Sequence, residues 1–523
     1  MGINLNTPWL DLTSPPNHAI NPVVYFFLMC LLFLIAYSLQ DAGCTNFPII
    51  NEKRLLEFSD SRVKNEFVIH GRRMFETAVR SIPGRPFRIF SDSGLMTVLP
   101  PEYANEIRND NRLSFGRHVA KLMMAQYPGF EGFRDGGHDL HVSLDVIKSK
   151  LTQNLAKVTE PLSHECEAVL EDIFTDDKGL EKDWHSIILK NCVLQLVARL
   201  SSRIFLGEEL CRDPAWLRIT VDYTVNAFAA AEDLRLWHPL FRPFVHWFLP
   251  RCRLLRAQVK EARNAITMLL EKRQAMKATL LRQNKEATEF NDAIEWFQVL
   301  AKGRKYDPVN VQLGLSLAAI HTTSDLITQV LLDLAQHPEF VEPLRKEIIN
   351  VLSEGGWKKT SLYSLKLLDS VIKESQRLKP VGTVSMRREV SSNVTLSDGT
   401  VLRRGSNIAV SSHRMWDPTI HTNPLEFDGY RFLKMRQKPG QENTGQLVST
   451  GPDHLAFGHG QHACPGRFFA ANEVKIALVH LLMKYDWQLL QGEVPKVREF
   501  GFSLISDPIA KLQIRRRQEE ISL

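Results

Sequence analysis

No Pro/Gly/Ser-rich linker, no central block of like charge and no fixed-period repeat divides this chain of 523 residues. Their absence argues against a string of modules and favours one large domain or two closely fused lobes. Cysteine is sparse and unpaired: seven residues, at 30, 44, 166, 192, 211, 252 and 464, with no short paired spacing. Such a scattered, odd-numbered set suits a reducing compartment better than a disulfide framework. Excess charge is also small. A formal +6 at pH 7 is modest for this length and gives no argument for nucleic acid as a partner.

Residues 1–22 hold Asp11 and no Lys or Arg, so the basic start of a signal peptide is missing. The next stretch, "VVYFFLMCLLFLIAYSL" from Val23 to Leu39, is 17 residues without a charge, at the short end for spanning a bilayer. Lys53, Arg54, Arg62 and Lys64 follow, and the positive-inside tendency places that side in the cytoplasm. The expected layout is a lumenal segment 1–22, a single transmembrane anchor 23–39, a linker 40–54 and one folded domain over 55–523. "NVT" at Asn393 matches a glycosylation sequon, silent if that domain is cytosolic.

Periodicity predicts a helix through "NEKRLLEFSDSRVKNEFVIHGRRMFETAVR", then a hairpin in "PFRIFSDSGLMTVLP". From about Asn105 to Gln376, apolar residues recur at helical spacing. Alternation returns in "NVTLSDGTVLRRGSNIAV", punctuated by Asp398-Gly399 and Gly405. A helix after Cys464 and a strand near Lys511 to Arg515 close the chain. The expected fold class is mainly α with small β-sheets.

One helix stands apart. Asp307 suits its cap, Pro308 its first turn and Pro338 its end, giving about 45 Å of helix at 1.5 Å per residue. Its middle, "LGLSLAAIHTTSDLITQVLL", is apolar nearly all round and should cross the core. The polar "HTTS", His321 to Ser324, has two readings: hydroxyls bonded back to the preceding turn, or the edge of a cavity for water or ligand.

"AFGHGQHACPGRFFA", Ala456 to Ala470, together with His454, invites a zinc reading. The spacing of His459, His462 and Cys464 is wrong for a finger, and zinc explains neither Phe457 nor the glycines at 458, 460 and 466. A single thiolate beneath haem explains more. A porphyrin brings four nitrogens, so the protein adds one axial ligand on a loop whose glycines allow close approach. A helix starting after Cys464 also favours its anionic form.

Phe457-x-x-Gly460-x-His462-x-Cys464-x-Gly466 resembles the haem-binding loop of the haem-thiolate monooxygenases, the cytochrome P450 family. Most members carry Arg where this chain has His462, and that Arg reaches a haem propionate. "ESQR" supplies Glu374 and Arg377, and "FDGYRF" supplies Arg431, for the family's buried Glu-Arg-Arg network. "AAIHTT" aligns with the oxygen-activation motif, with Thr322 at the threonine that handles dioxygen and its protons. His321 stands where the family more often has an acid, and a histidine there can still pass protons. The resemblance spans about residues 45 to 515.

For the second propionate the resemblance implies Arg388 of the Arg387-Arg388 pair, with one of the two solvated, and Lys148 in place of a missing Trp-x-x-x-Arg arginine. It implies haem b held by Cys464, dioxygen as co-substrate, and a lipophilic small molecule as substrate. "AAIHTTS", "FGHGQHACPGRFFA" and "YPGFEGF" look most like fungal members related to ent-kaurene oxidase, which serve terpenoid or indole-diterpenoid pathways. "FAAAED" (228–233) and "GFSLIS" (501–506) fall where the family lines its pocket. No flavin or nicotinamide fingerprint is present. Electrons are therefore expected from a membrane-bound NADPH–cytochrome P450 reductase, with cytochrome b5 as a second donor, at the endoplasmic reticulum membrane. Lys434, Arg436, Lys438, Arg467 and Lys475 are the candidate basic docking face. The rival functions are a haem-thiolate isomerase or dehydratase and a non-catalytic haem-binding membrane protein.

Overall fold

The structure, a computed structural model, describes residues 24–25, 28–29, 47–54, 57, 59–136, 140–174, 183–286 and 289–523. Residues 47–54 and 60–523 form one unit, and residues 1–46 with 55–59 form another. Most of the expected anchor Val23–Leu39 lies outside the described residues; Val24, Tyr25, Leu28 and Met29 are helical and exposed.

Helices of eight or more residues carry the larger unit. They are α1 (Ser61–Ser81), α2 (Phe115–Leu122), α3 (Leu155–Phe174), α4 (Leu189–Phe205), α5 (Pro214–Arg235), α6 (Pro250–Arg282), α7 (Ala293–Ala301), α8 (Pro308–Gln336), α9 (Val341–Gly355), α10 (Lys366–Leu378) and α11 (Arg467–Lys484). The expected helix from Asn51 starts only at Ser61. Asn51 is instead taken up by the first strand, its amide bonding both to the Phe90 carbonyl at 2.9 Å and to the Phe90 N–H at 2.8 Å.

A five-stranded sheet runs β1-β2-β8-β5-β3, from β1 (Phe87–Ser91), β2 (Gly94–Leu99), β3 (Leu113–Ser114), β5 (Val384–Val390) and β8 (Asn407–Ser411). The β1–β2 hairpin turns at Gly94, φ 111°, in the expected Ser-Asp-Ser-Gly turn. Only the β2–β8 pairing is parallel in this sheet, Met96 facing Asn407. β4 (His185–Ile188), β12 (Lys511–Arg516) and β9 (Tyr485–Leu489) form a second sheet; β6 (Val394–Thr395) with β7 (Val401–Leu402), and β10 (Arg498–Phe500) with β11 (Ser503–Ile505), form two hairpins. The fold is mainly helical with small sheets.

α8 is the axis of this fold. Asp307 caps it by accepting from the Val309 N–H at 2.9 Å, and Pro308 occupies its first position. It packs against α4, α5, α10, α11 and the turn Glu131–Gly136. Each Leu, Ile or Val buried fully along it contributes about 1.5–3 kcal/mol. Among the described residues α8 is the one helix long and apolar enough to cross a membrane, but its burial assigns it to the core. Contact with the Glu131–Gly136 turn depends on glycine: a Cβ on Gly314 would stand 2.9 Å from the Gly132 carbonyl oxygen. Tyr223 of α5 completes that junction, its hydroxyl donating to Gly129 O at 2.9 Å and accepting from the Gly132 N–H at 3.2 Å.

Candidate active site

Cys464 sits at the mouth of α11. Gly458 and Gly460 take φ of 70° and 77°, conformations that cost an L side chain energy, and they fold the loop so that the Cys464 N–H donates to Phe457 O at 2.8 Å. Gly460 has a second reason to be glycine: its Cβ would lie 2.4 Å from Arg108 Cβ. The glycine therefore seats the loop on the 105–109 segment. His459 braces the same contact, with Nε2 3.0 Å from Asn105 Oδ1 and Nδ1 3.2 Å from Thr450 Oγ1. His454 is buried edge-on to Phe432.

Burial pushes the Cys464 thiol up, while the amides of Gly466 and Arg467 and the Arg467 charge pull it down. Burial wins and the thiol is raised overall, so the two amides and the helix N-terminus offset only part of the cost of an anion at this sulfur. Gly466 keeps space open beside it, since a Cβ there would meet nothing within 4 Å.

Three residues proposed for propionates converge. Burial, with the charges of Arg388 and Lys148, lowers His462 to about 4, so both cations act on the imidazole. Arg388 is 4% exposed, and among the described residues no carboxylate pairs with it or with Lys148. A positive φ at Met386 (49°) and a slip in β5–β8 pairing between Ser385 and Arg388 form the bulge that carries Arg388. The expectation that one of Arg387 and Arg388 is solvated is corrected: Arg387 is half-buried against Phe502. A buried Arg388 and an exposed Lys148, neither paired with a carboxylate, beside a neutral His suit an anionic group.

Glu374 and Arg377 meet on α10 at 2.8 Å, and Arg431 reaches the same carboxylate at 3.0 Å. Arg377 also donates to Met415 O at 2.6 Å and Pro424 O at 2.7 Å, and Arg431 to Thr422 O at 2.7 Å. The network thereby fixes the strand-to-loop passage leading to Cys464.

The back-bonded reading of "HTTS" is the one observed. Thr322 Oγ1 donates back to Ala318 O at 2.8 Å, and Ser324 Oγ to Ile320 O at 2.7 Å. Yet Ala318 and Thr322 are exposed in mid-helix, between the buried Leu315–Ser316 and Thr323–Asp325. On a helix otherwise largely buried, that one-turn window leaves open surface at Thr322. α8 also packs on α11, the helix that follows Cys464. His321 does not share the window: its Nε2 is 3.0 Å from Val221 O of α5, donating to it, and burial lowers its pKa.

A thiol held by amides, open space at Gly466, unpaired cations and a window at Thr322 together fit haem. A family model for Cytochrome P450 matches residues 89–513. The chain belongs to the cytochrome P450 family. This P450 is similar to the cytochrome P450 monooxygenase hepE of Aspergillus oryzae, 51% identical over 95% of this chain and 91% of that protein. It resembles cytochrome P450 monooxygenase 1 of Gibberella fujikuroi at 51% identity over 84% of this chain and all of that one, and calE of Penicillium decumbens at 44% over the full length of both. A retinoic acid-bound cyanobacterial CYP120A1 shares its fold, with a TM-score of 0.64 at 16% identity over 91% of this chain and all of that one. The chain is thus a haem-thiolate monooxygenase that uses a redox partner, a substrate and dioxygen.

The expected basic docking face of this P450 is corrected. Lys475 is buried and paired with Asp369 at 2.6 Å, and Arg436 reaches the same carboxylate at 3.2 Å. Arg467 is spent on the carbonyls of Val448 and Cys464. Only Lys434 and Lys438 remain exposed. Periodicity also passed over Gly314, Arg108 and Asp325. An acid inside the apolar run "SDLITQVLL" was the visible signal for the last.

Proposed function

We propose that this P450 oxidises a bulky lipophilic skeleton of terpenoid or indole-diterpenoid type in fungal secondary metabolism. In this reading it is anchored at the endoplasmic reticulum membrane with its catalytic domain in the cytosol, and takes electrons from NADPH–cytochrome P450 reductase with cytochrome b5 as a second donor. Haem bound through Cys464 supplies the activation of dioxygen, one atom of which enters the substrate while the other leaves as water.

The chain's own share follows from its side chains. Arg388, Lys148 and His462 hold the propionates. Glu374, Arg377 and Arg431 hold the loop. The Thr322 hydroxyl, within reach of both Ala318 O at 2.8 Å and Ala319 O at 3.3 Å, moves a proton at the window. His321, held at Val221, orients α8 against α5.

The observation that carries the substrate class is the apolar character around that window. Ala318 opens beside Thr322, Phe228 and Ile505 are exposed apolar side chains on the two segments where the family lines its pocket, and exposed Val381 lies on the stretch bonded to the second of them. Membrane attachment draws support from another surface: Leu236, Leu240, Phe241, Phe244, Trp247 and Phe248 are all exposed in one short stretch after α5. An apolar patch of that size, flanked by Arg251 and Arg253, suits a lipid interface.

The test is expression in microsomes with the reductase, fed terpenoid and indole-diterpenoid precursors, with products identified by mass and NMR. Product that requires both NADPH and oxygen supports the reading. Product formed without either would make the chain an isomerase or dehydratase, and turnover confined to small polar substrates would remove the proposed class.

A further inference from the structure

A polar knot interrupts the apolar core one helical turn beyond Thr322. Asp325 of α8 is 8% exposed and accepts hydrogen bonds from three separate parts of the fold. Lys190, at the start of α4, reaches Oδ1 at 2.8 Å, and Lys379, just past α10, reaches Oδ2. Ser506, just past β11, donates both its N–H, at 2.9 Å, and its hydroxyl, at 2.6 Å. Lys190 also reaches the Ser506 hydroxyl at 3.3 Å.

Two of those attachments belong to one surface. The Lys379–Thr383 and Phe502–Ser506 stretches are joined by Leu504 N–H to Val381 O at 3.1 Å and Thr383 N–H to Phe502 O at 2.8 Å. Lys379 and Ser506 turn into the knot. Between buried neighbours on the same stretches, Val381 and Ile505 are exposed, at 55% and 41%. Thr322, also exposed, lies on the helix to which Asp325 ties them.

We propose that Asp325 is a positioning residue for the substrate chamber: by holding Lys379 and Ser506 it fixes the walls that carry Val381 and Ile505 against the Thr322 window. This rests on reading that window and those walls as one chamber.

The knot also carries one cation too many. Among the described residues no second acid pairs with Lys190 or Lys379, and the other titratable group facing Lys190 is His321, itself under the field of Asp222 on α5. Burial lowers Lys190 to about 7, and burial with repulsion from Lys190 holds Lys379 well below its ordinary value. Above neutral pH the pair of lysines cannot both stay charged, and loss of one proton leaves Asp325 balanced against the lysine that keeps its own. An unfolded lysine keeps its proton up to 10.5, so the unfolded chain binds more protons between about 7 and 10.5 and stability rises with pH across that window.

Two measurements on the full-length, haem-loaded enzyme in nanodiscs test this. The first is spectral titration with imidazole and with a bulky apolar azole. D325N weakens the bulky azole several-fold and leaves imidazole unchanged, because the walls shift while access to iron does not. S506A, which leaves both lysines paired, shows a smaller loss of the same kind and carries the test if D325N fails to fold. Equal azole affinity in wild type and in the folded variants overturns the positioning role, whatever the natural substrate proves to be. The second measurement is thermal unfolding between pH 7 and 9.5. The wild-type midpoint climbs more steeply than that of K190M, whose remaining climb comes from buried Lys373, also lowered to about 7; parallel slopes overturn the excess cation.

Discussion

Glu374 and Arg377 bury their ion pair completely: the Arg377 Nε and Nη2 lie 2.8 Å from the two carboxylate oxygens, and neither side chain has exposed surface. Each partner is also tied elsewhere, Arg377 to two carbonyls and Glu374 to Arg431 and the Asp428 N–H. R377A therefore strands a buried carboxylate with half its partners, at a cost of about 3–5 kcal/mol. Thermal unfolding and haem content per polypeptide are the measurements, and both should fall.

Thr322 should separate chemistry from stability. Its hydroxyl bonds only within its own helix turn, so T322A changes stability by under about 1 kcal/mol. Product formed per NADPH consumed should drop several-fold, and T322S should recover most of it. Unchanged coupling in T322A would remove Thr322 from proton handling.

Gly314 pits helix propensity against packing. Alanine would favour the helix by about 1 kcal/mol, but its Cβ would meet the Gly132 carbonyl oxygen at 2.9 Å. Backbone cannot rotate away as a side chain can, so overpacking wins and G314A loses about 1–3 kcal/mol. Urea unfolding of the two proteins decides it.

Glu473 of α11 is fully buried, with Ser201 donating to one oxygen at 2.7 Å and no partner for the other among the described residues. Burial raises its pKa from 4.5 to about 8. The folded chain then holds a proton that the unfolded chain has released between those values, so stability falls as pH rises through the window. E473Q keeps the hydrogen bond and removes the penalty: it should raise the unfolding midpoint at pH 8.5 and change little at pH 5.

Much of this was legible in the residues. Asp307, Pro308 and Pro338 bracket α8 because capping and proline stops act within a few residues. The β1–β2 hairpin was written in its turn, and the glycines around Cys464 in φ values an L residue avoids. The start of α1 was not legible: Asn51 to Arg54 have helical periodicity, but Asn51 is captured by Phe90, 39 residues away. β5 was missed because, although burial alternates along it without a break, its inward position 388 carries an arginine and hides the alternation in the sequence.

Local order, the thiolate loop and the ExxR pair were determined by the sequence itself, since each depends on residues a turn or a loop apart. Which cations are free was decided only in three dimensions. Lys475 and Arg436 looked like surface charge until Asp369 claimed both, whereas Arg388 and Lys148 came together beside His462 with no acid to meet them. Asp325 is the sharpest case. Its partners at 190, 379 and 506 are distant in sequence, and only the burial of α8 makes a lone carboxylate expensive enough to draw them in.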